Sequence, residues 1–356
     1  MQLKALSASQ HVVSIFIHLP QDLDLLAPIL LELQSHNTRF NILLHHKLLR
    51  RSPRIAAFLK QHDIQWTAVR LPWDLVQIVA SLRTASHLIT ASESSTRAHR
   101  WAHRLTRLAR WMGLKTLTLQ HGFENIGLTY SDSIHDIKNL KFASDKILIW
   151  SNKSHLHANI PAHTLQKCIE FGCTKDNSRL AAPRKPASFV ISVFENLHWH
   201  RYSSSYREQF IEDLFAAANH FKDFCFLLKP HHDGRWFTQQ KQIRKAENVM
   251  ILNPQDPLWE PFTAPAIAKI SDLVITTPST TAVDAAAMNL PVLLVDYDNL
   301  SENYKPLIAL TKSQEWIDAI QTYSQDPSPA ILKGQEFFRR TQIKMKSAAQ
   351  IFSVLD

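Results

Sequence analysis

Short runs of apolar, β-branched residues recur along this chain, each followed by a longer stretch with apolar residues at helical spacing. His11–Leu19, Phe40–Leu44, Ile64–Val69 and His87–Thr90 read as strands, separated by helices at Asp22–Leu33, Ile55–Gln61 and Leu75–Arg83. Strands alternating with helices of about 10–20 residues make βαβ units, and these predict a parallel α/β sheet. Thr116–Leu119 and Asp145–Trp150 continue the pattern, and Lys153–His157 starts a further helix. Lys175–Ser188 is polar, carries two prolines and has no periodicity, so it reads as a linker. Beyond it the alternation resumes: strands at Phe189–Val193, Phe224–Leu228, Val249–Leu252, Asp272–Thr276 and Pro291–Val295, helices at Tyr206–His220 and Ala282–Met288, and a helix ending at Ile267–Ile270. At 356 residues the chain fits two domains of about 100–200 residues each. Their expected bounds are 1–175 and 186–330, with 331–356 as a C-terminal helical segment.

With 45% hydrophobic and 20% charged residues the chain can bury a good core. The six glycines form neither a GxGxxG fingerprint nor a P-loop, so any phosphate must be held without a glycine cradle. Three cysteines without a zinc spacing predict reduced thiols in the cytosol. The first twenty residues do not read as a signal peptide, and no window of about 18 apolar residues suits a membrane span. A net charge of +9 calls for a reason. Nucleic acid would meet the charge, although no recognition motif or dense Lys/Arg block points to it; phosphorylated substrates near an anionic membrane account for it equally well, and charge alone does not choose.

Several strand ends carry chemistry. In Ser271–Asp296, Pro278-Ser279-Thr280-Thr281 breaks a strand just where a helix begins. Helix N–H groups and hydroxyls there favour a phosphate; the simpler alternative is a cap, with Asp284 closing a capping box. His121, in Gln120-His121-Gly122 after a strand, suits a general base, since an imidazole near pKa ~6.5 can take a hydroxyl proton at neutral pH. Glu93, in the capping-rich loop Ala91–Thr96, is either an acceptor contact or a complement to the next helix dipole. That helix, Arg97–Met112, shows an apolar face of Trp101, Leu105, Leu108 and Met112 and a basic stripe of Arg97, Arg100, Arg104 and Arg107. The stripe fits a membrane surface, a grip on an anionic acceptor, or simply a solvated outer face. In the second half, Asn196 sits in the loop after a strand, and Lys229-Pro230-His231-His232-Asp233 ends another. A Lys and a His there suit a phosphate or nucleotide better than a metal, for which no ligand set is complete.

Taken together, the QHG of the first half, the KPHH of the second and SDLVITTPSTTAVDAA resemble bacterial GT-B glycosyltransferases. The likeness is to CDP-glycerol glycerophosphotransferases and to the CMP-Kdo and sialic acid transferases of surface-polysaccharide synthesis. It implies two Rossmann-like domains with parallel sheets facing across a cleft, and a last helix, Gln335–Val354, returning to the first domain. It further implies a cytidine-nucleotide donor, such as CMP-Kdo or CDP-glycerol, and a glycan or lipid-linked glycan acceptor. Lys229 with His231 or His232, the Ser279-Thr280-Thr281 run and Asn196 would bind the nucleotide, and Asp284 the ribose. His121 would be the base with Glu124 beside it, Glu93 and Arg97 would meet the acceptor, and no metal or other cofactor is expected. The expected location is cytoplasmic, peripheral at the inner membrane, without nucleic acid. The chain departs from the pattern in its KPHH order, in Phe123-Glu124-Asn125 after the histidine-glycine, and in lacking the acid-acid-glycine base motif of sialyltransferases. A UDP-sugar transferase or UDP-sugar 2-epimerase of the same fold, a basic nucleic-acid binder and a catalytically silent partner protein remain as alternatives.

Overall fold

A computed structural model of the protein describes residues 12–132, 134–231, 234, 236–239, 246–298 and 302–355. The chain divides into two compact units, one of residues 1–176 with 342–356 and the other of residues 177–341.

The first unit begins with β1 (Val13–Ile17), α1 (Asp22–Ser35), β2 (Phe40–His45), α2 (Leu48–Arg51), α3 (Pro53–Gln61) and β3 (Thr67–Val69). It continues through α4 (Leu75–Arg83), β4 (His87–Ala91), α5 (Arg100–Trp111), β5 (Lys115–Leu119), β6 (Lys146–Ile149), α6 (Ala162–Lys167) and β7 (Cys168–Glu170). The sheet order is β3-β2-β1-β4-β5-β6-β7, every pair parallel. Every residue of β1 and β4 is buried, as a sheet covered by helices on both faces requires. On α1, Leu25, Leu26, Ile29, Leu30 and Leu33 are fully buried, each worth about 1.5–3 kcal/mol relative to exposure.

The second unit holds β8 (Val190–Glu195), α7 (Ser204–His220), β9 (Cys225–Pro230), β10 (Val249–Ile251), α8 (Ala264–Ala268) and β11 (Leu273–Thr276). α9 (Thr280–Ala287), β12 (Val292–Val295), β13 (Ile308–Leu310), α10 (Ser313–Gln325) and α11 (Ser328–Thr341) complete it. Its six strands run parallel in the order β10-β9-β8-β11-β12-β13. Trp316 of α10 is fully buried edge-to-face on Phe210 and donates its indole N–H to the Tyr297 hydroxyl at 3.0 Å.

Some expected elements are redrawn. The helix foreseen over 335–354 ends at Thr341, where Gln342 turns left-handed (φ 53°) and the chain leaves α11. Residues 342–355 then complete the first unit. Met345 bridges Cys173, the Cys173 N–H donates to Lys344 O at 2.7 Å, and a short α12 (Phe352–Leu355) follows. Gly172 permits this approach: at φ 107°, a Cβ there would lie 2.8 Å from Lys344 O. Residues 153–155 make one 3-10 turn in place of a helix start. α5 begins at Arg100, three residues later than expected, and is rotated relative to its expected face. Ala102, Leu105, Thr106 and Ala109 are buried against the sheet, while Trp101, Leu108 and Met112 flank the core. Small residues let the helix backbone approach the strands, so the largest apolar side chains lie beside the contact. Among the described residues no helix is long and apolar enough to cross a membrane.

Candidate functional site

In a parallel sheet, ligands favour the carboxyl ends of the strands where the strand order reverses. In the first unit that point lies between β1 and β4. Asp22, at the start of α1 and fully buried, is its hub. Its Oδ2 accepts the backbone N–H groups of His18 (3.0 Å) and Leu19 (2.9 Å) and stands 2.9 Å from His18 Nδ1. Its Oδ1 accepts the Ser92 hydroxyl at 2.9 Å. This bond helps hold Ser92 at φ 58°, a conformation uncommon for serine. From this hub three histidines follow in a row. The His18 and His99 rings meet edge-on at 6.4 Å, and those of His99 and His121 at 4.9 Å. His99 Nδ1 lies 3.0 Å from the Ser94 hydroxyl. The loop presenting His121 is fixed from both sides. Gln120 donates to Gly122 O at 2.8 Å and accepts from the Trp150 N–H at 2.9 Å, and the His121 N–H donates to Asn125 Oδ1 at 3.1 Å.

Burial pushes the His121 imidazole down to about 4 against the opposing pull of the Asp22 charge, so it is neutral at pH 7 and can accept a proton. His45, at the end of β2, is likewise held at about 4 by burial and then by the charge of His46. Sequence reasoning singled out His121 but neither His18 nor Asp22. The signal was the same one, a histidine directly after a strand, with an aspartate opening the next helix.

Glu93 is corrected from an acceptor contact to an internal tie. It is buried, and its carboxylate accepts the Ala143 N–H (2.9 Å), the Ser144 N–H (3.3 Å) and the Ser144 hydroxyl (2.6 Å), with His103 Nδ1 alongside. Its partners stand far along the chain, so nothing local revealed them. Arg97 is exposed in the turn before α5, and Glu124 is partly buried on the His121 loop.

In the second unit the reversal falls between β8 and β11. Asn196 clamps the loop after β11, donating to Pro278 O (3.0 Å) and accepting the Thr277 hydroxyl (2.7 Å). Its amide therefore shapes the loop that leads into α9. Ser279 caps α9, accepting the Thr281 N–H at 3.2 Å, and lies 3.1 Å from the Thr276 hydroxyl. Thr280 and Thr281 are partly buried at the same helix start. Asp284 lies a turn further on, buried, and accepts from the Asn177 side chain at 3.3 Å. Ser279, the residue that caps α9, stands five positions before it.

Lys229 is buried at the end of β9, and His231 stacks on His198 at 4.7 Å while its N–H donates to Glu195 O at 3.0 Å. Gly234 is needed beside this pair, since a Cβ there would fall 2.4 Å from His198 Nδ1. His232 and Asp233 lie outside the described residues. Two groups here escaped the sequence reading. Arg201 donates to Pro278 O at 2.7 Å and lies over the Trp199 and Tyr202 rings, which puts a cation beside the helix-start loop. Glu195, the last residue of β8, is buried with one oxygen accepting the Leu197 N–H at 2.6 Å, and burial pushes its carboxyl up to about 7. A carboxyl poised there can give or take a proton near neutral pH.

These shifts have opposite consequences for stability. Below pH 6.5 the unfolded chain protonates His45 and His121 while the fold does not, so folding weakens as pH falls towards 4. Glu195 keeps its proton in the fold up to about 7 but loses it near 4.5 when unfolded, so its contribution weakens as pH rises through that window. Glu195→Gln removes only the second effect. The unfolding midpoint should therefore drop more steeply from pH 6.5 to 4.5 in the variant than in the wild type; equal slopes would mean that Glu195 titrates normally.

No family model matches the chain, and no curated protein matches it by sequence. Solved structures do match it. The UDP-GlcNAc 2-epimerase of Neisseria meningitidis, bound to UDP-GlcNAc, aligns with a TM-score of 0.63 at 14% identity, covering 97% of this chain and 99% of that one. Staphylococcus aureus MnaA with UDP gives 0.64 at 11% identity, covering 97% and 98%. The spinosyn rhamnosyltransferase SpnG with thymidine diphosphate gives 0.54 at 13% identity, covering 97% and 100%. At such identities the likeness is one of fold. The chain has the GT-B fold, two parallel-sheet α/β Rossmann-like units, in common with nucleotide-sugar epimerases and glycosyltransferases.

Proposed function

We propose that the protein is an enzyme acting on a nucleoside-diphosphate sugar, with uridine as the preferred base. The observation that carries this reading is the loop Thr276–Thr281 at the reversal point of the second sheet. There the Arg201 guanidinium stands beside the start of α9, and Lys229 lies at the end of β9, separated from β11 by β8. Helix-start N–H groups with a cation beside them suit a diphosphate, and they stabilise the charge that grows on it when a sugar–phosphate bond breaks. Within the first unit the candidate base is neutral His121, in a row with His99 and His18.

Uridine is preferred to the cytidine expected from the motifs because structural neighbours are described with UDP and UDP-GlcNAc. Two reactions use such an apparatus: transfer of the sugar to a hydroxyl acceptor, and epimerisation of the nucleotide sugar itself. The second is favoured by the higher TM-score of the Neisseria 2-epimerase, 0.63 against 0.54 for the rhamnosyltransferase, and Glu195, poised near neutrality, offers a second proton carrier.

Calorimetric titration with UDP, UMP, CDP, CMP and GDP tests the nucleotide. UDP should bind most tightly, and Arg201→Ala or Lys229→Ala should weaken it about tenfold, as loss of a charge-assisted contact does. Tighter binding of CMP or CDP would return the donor to cytidine, and no binding at all would sink the proposal. Incubation with UDP-GlcNAc in deuterated water then separates the reactions, because epimerisation without an acceptor exchanges a carbon-bound hydrogen for deuterium.

A further inference from the structure

α4 and α5 seal one core cluster of the first unit, Ile78 and Leu82 from one helix meeting Ala102, Leu105 and Ala109 from the other. Their outer faces have an unusual composition. Opposite the buried residues of α5 runs a stripe at positions 100, 104, 107 and 111, made of three exposed arginines and Trp111, which is 84% exposed. No carboxylate pairs with Arg97, Arg100, Arg104 or Arg107 among the described residues, while Arg110, off the stripe, pairs with Asp145 at 2.8 Å. Between Leu75 and Phe123 the only acidic residue is Glu93, which is buried; Arg83 and Lys115 add to the positive charge. α4 contributes Val76, 86% exposed, and just before it Trp73, 82% exposed.

We infer that this α4–α5 face docks on an anionic phospholipid bilayer. Unpaired guanidinium groups complement headgroup phosphates, each cation near such a surface contributing about fivefold in affinity. Tryptophan prefers the boundary between headgroups and hydrocarbon, which is where protruding Trp73 and Trp111 would settle. Arg100 and Arg104 lie over the Trp101 ring at 5.2 and 5.1 Å, which orders two of the cations on the outer face. A nucleic acid would meet the charge but leaves Val76 without a role. This assignment is independent of the reaction, since none of these residues belongs to the two strand-end sites.

Flotation of the full-length protein with vesicles tests it. Phosphatidylcholine vesicles containing about 30 mol% phosphatidylglycerol should carry the protein at about 0.1 M salt, and release it at about 0.5 M as screening shortens. Arg100→Gln/Arg104→Gln/Arg107→Gln should lower affinity on the order of a hundredfold, with unchanged circular dichroism. Trp111→Ser should lower it severalfold. Equal binding to pure phosphatidylcholine, or no binding to the anionic vesicles, would overturn the assignment. Salt-sensitive binding to a random RNA duplex without vesicle binding would assign the face to nucleic acid instead, and concentration-dependent dimerisation lost in the triple variant would assign it to a second copy.

Discussion

His121→Ala is expected to lower kcat about a thousandfold while leaving UDP affinity within a few-fold. General base catalysis contributes roughly 10²–10⁴, and the nucleotide contacts proposed here all lie in the second unit. The structural cost should be small, because the ring's described neighbour is the edge of His99, 4.9 Å away, and the loop is held by Gln120 and Asn125 through other atoms. Held at about 4, the imidazole also predicts that the acid limb of kcat/KM lies well below pH 6.5. Turnover unchanged in the alanine variant would remove His121 from the chemistry.

Asp22→Ala is expected to cost the first unit about 4 kcal/mol. The substitution strands two backbone N–H groups and the Ser92 hydroxyl, buried or half-buried around one carboxylate. Removing one partner of such a buried group typically costs about 3–5 kcal/mol. Asp22→Asn keeps an acceptor oxygen and should cost less, near 1–2 kcal/mol. Urea unfolding of both variants checks the order. A loss below about 1 kcal/mol in the alanine variant would mean that water replaces the carboxylate, and that the hub is more open than its burial implies.

The central strands were legible because a parallel sheet covered on both faces leaves continuous apolar runs, as in Val13–Ile17 and Leu273–Thr276. The edge strands were legible only in part: Thr67–Val69 and Val249–Ile251 lie within runs read as strands, whereas Cys168–Glu170 and Ile308–Leu310, equally short, were not read. His121 could be read from its place between a strand and a glycine. The Asp22–Ser92 bond could not, because it joins residues seventy apart, and no local pattern records such a pairing. Glu93 shows the converse. A carboxylate at a strand end looks the same in sequence whether it faces a ligand or, as here, Ala143 and Ser144. The α5 face was misread through size: Trp and Leu mark a helix as amphipathic, but the alanines decided which side met the sheet.

The crossing of the chain back into the first unit has a consequence for its biosynthesis. During translation the nascent chain can pair β1 to β7 once Glu170 has left the ribosome. The segment that bridges Cys173 and packs on α1 is still to be made, with residues 177–341 emerging first. At about 5–20 residues per second the first unit waits roughly ten to thirty seconds for it. Through that interval the side of α1 that this segment covers stands open to chaperones and proteases, and a ribosome stalled late leaves the older half of the protein as the incomplete one.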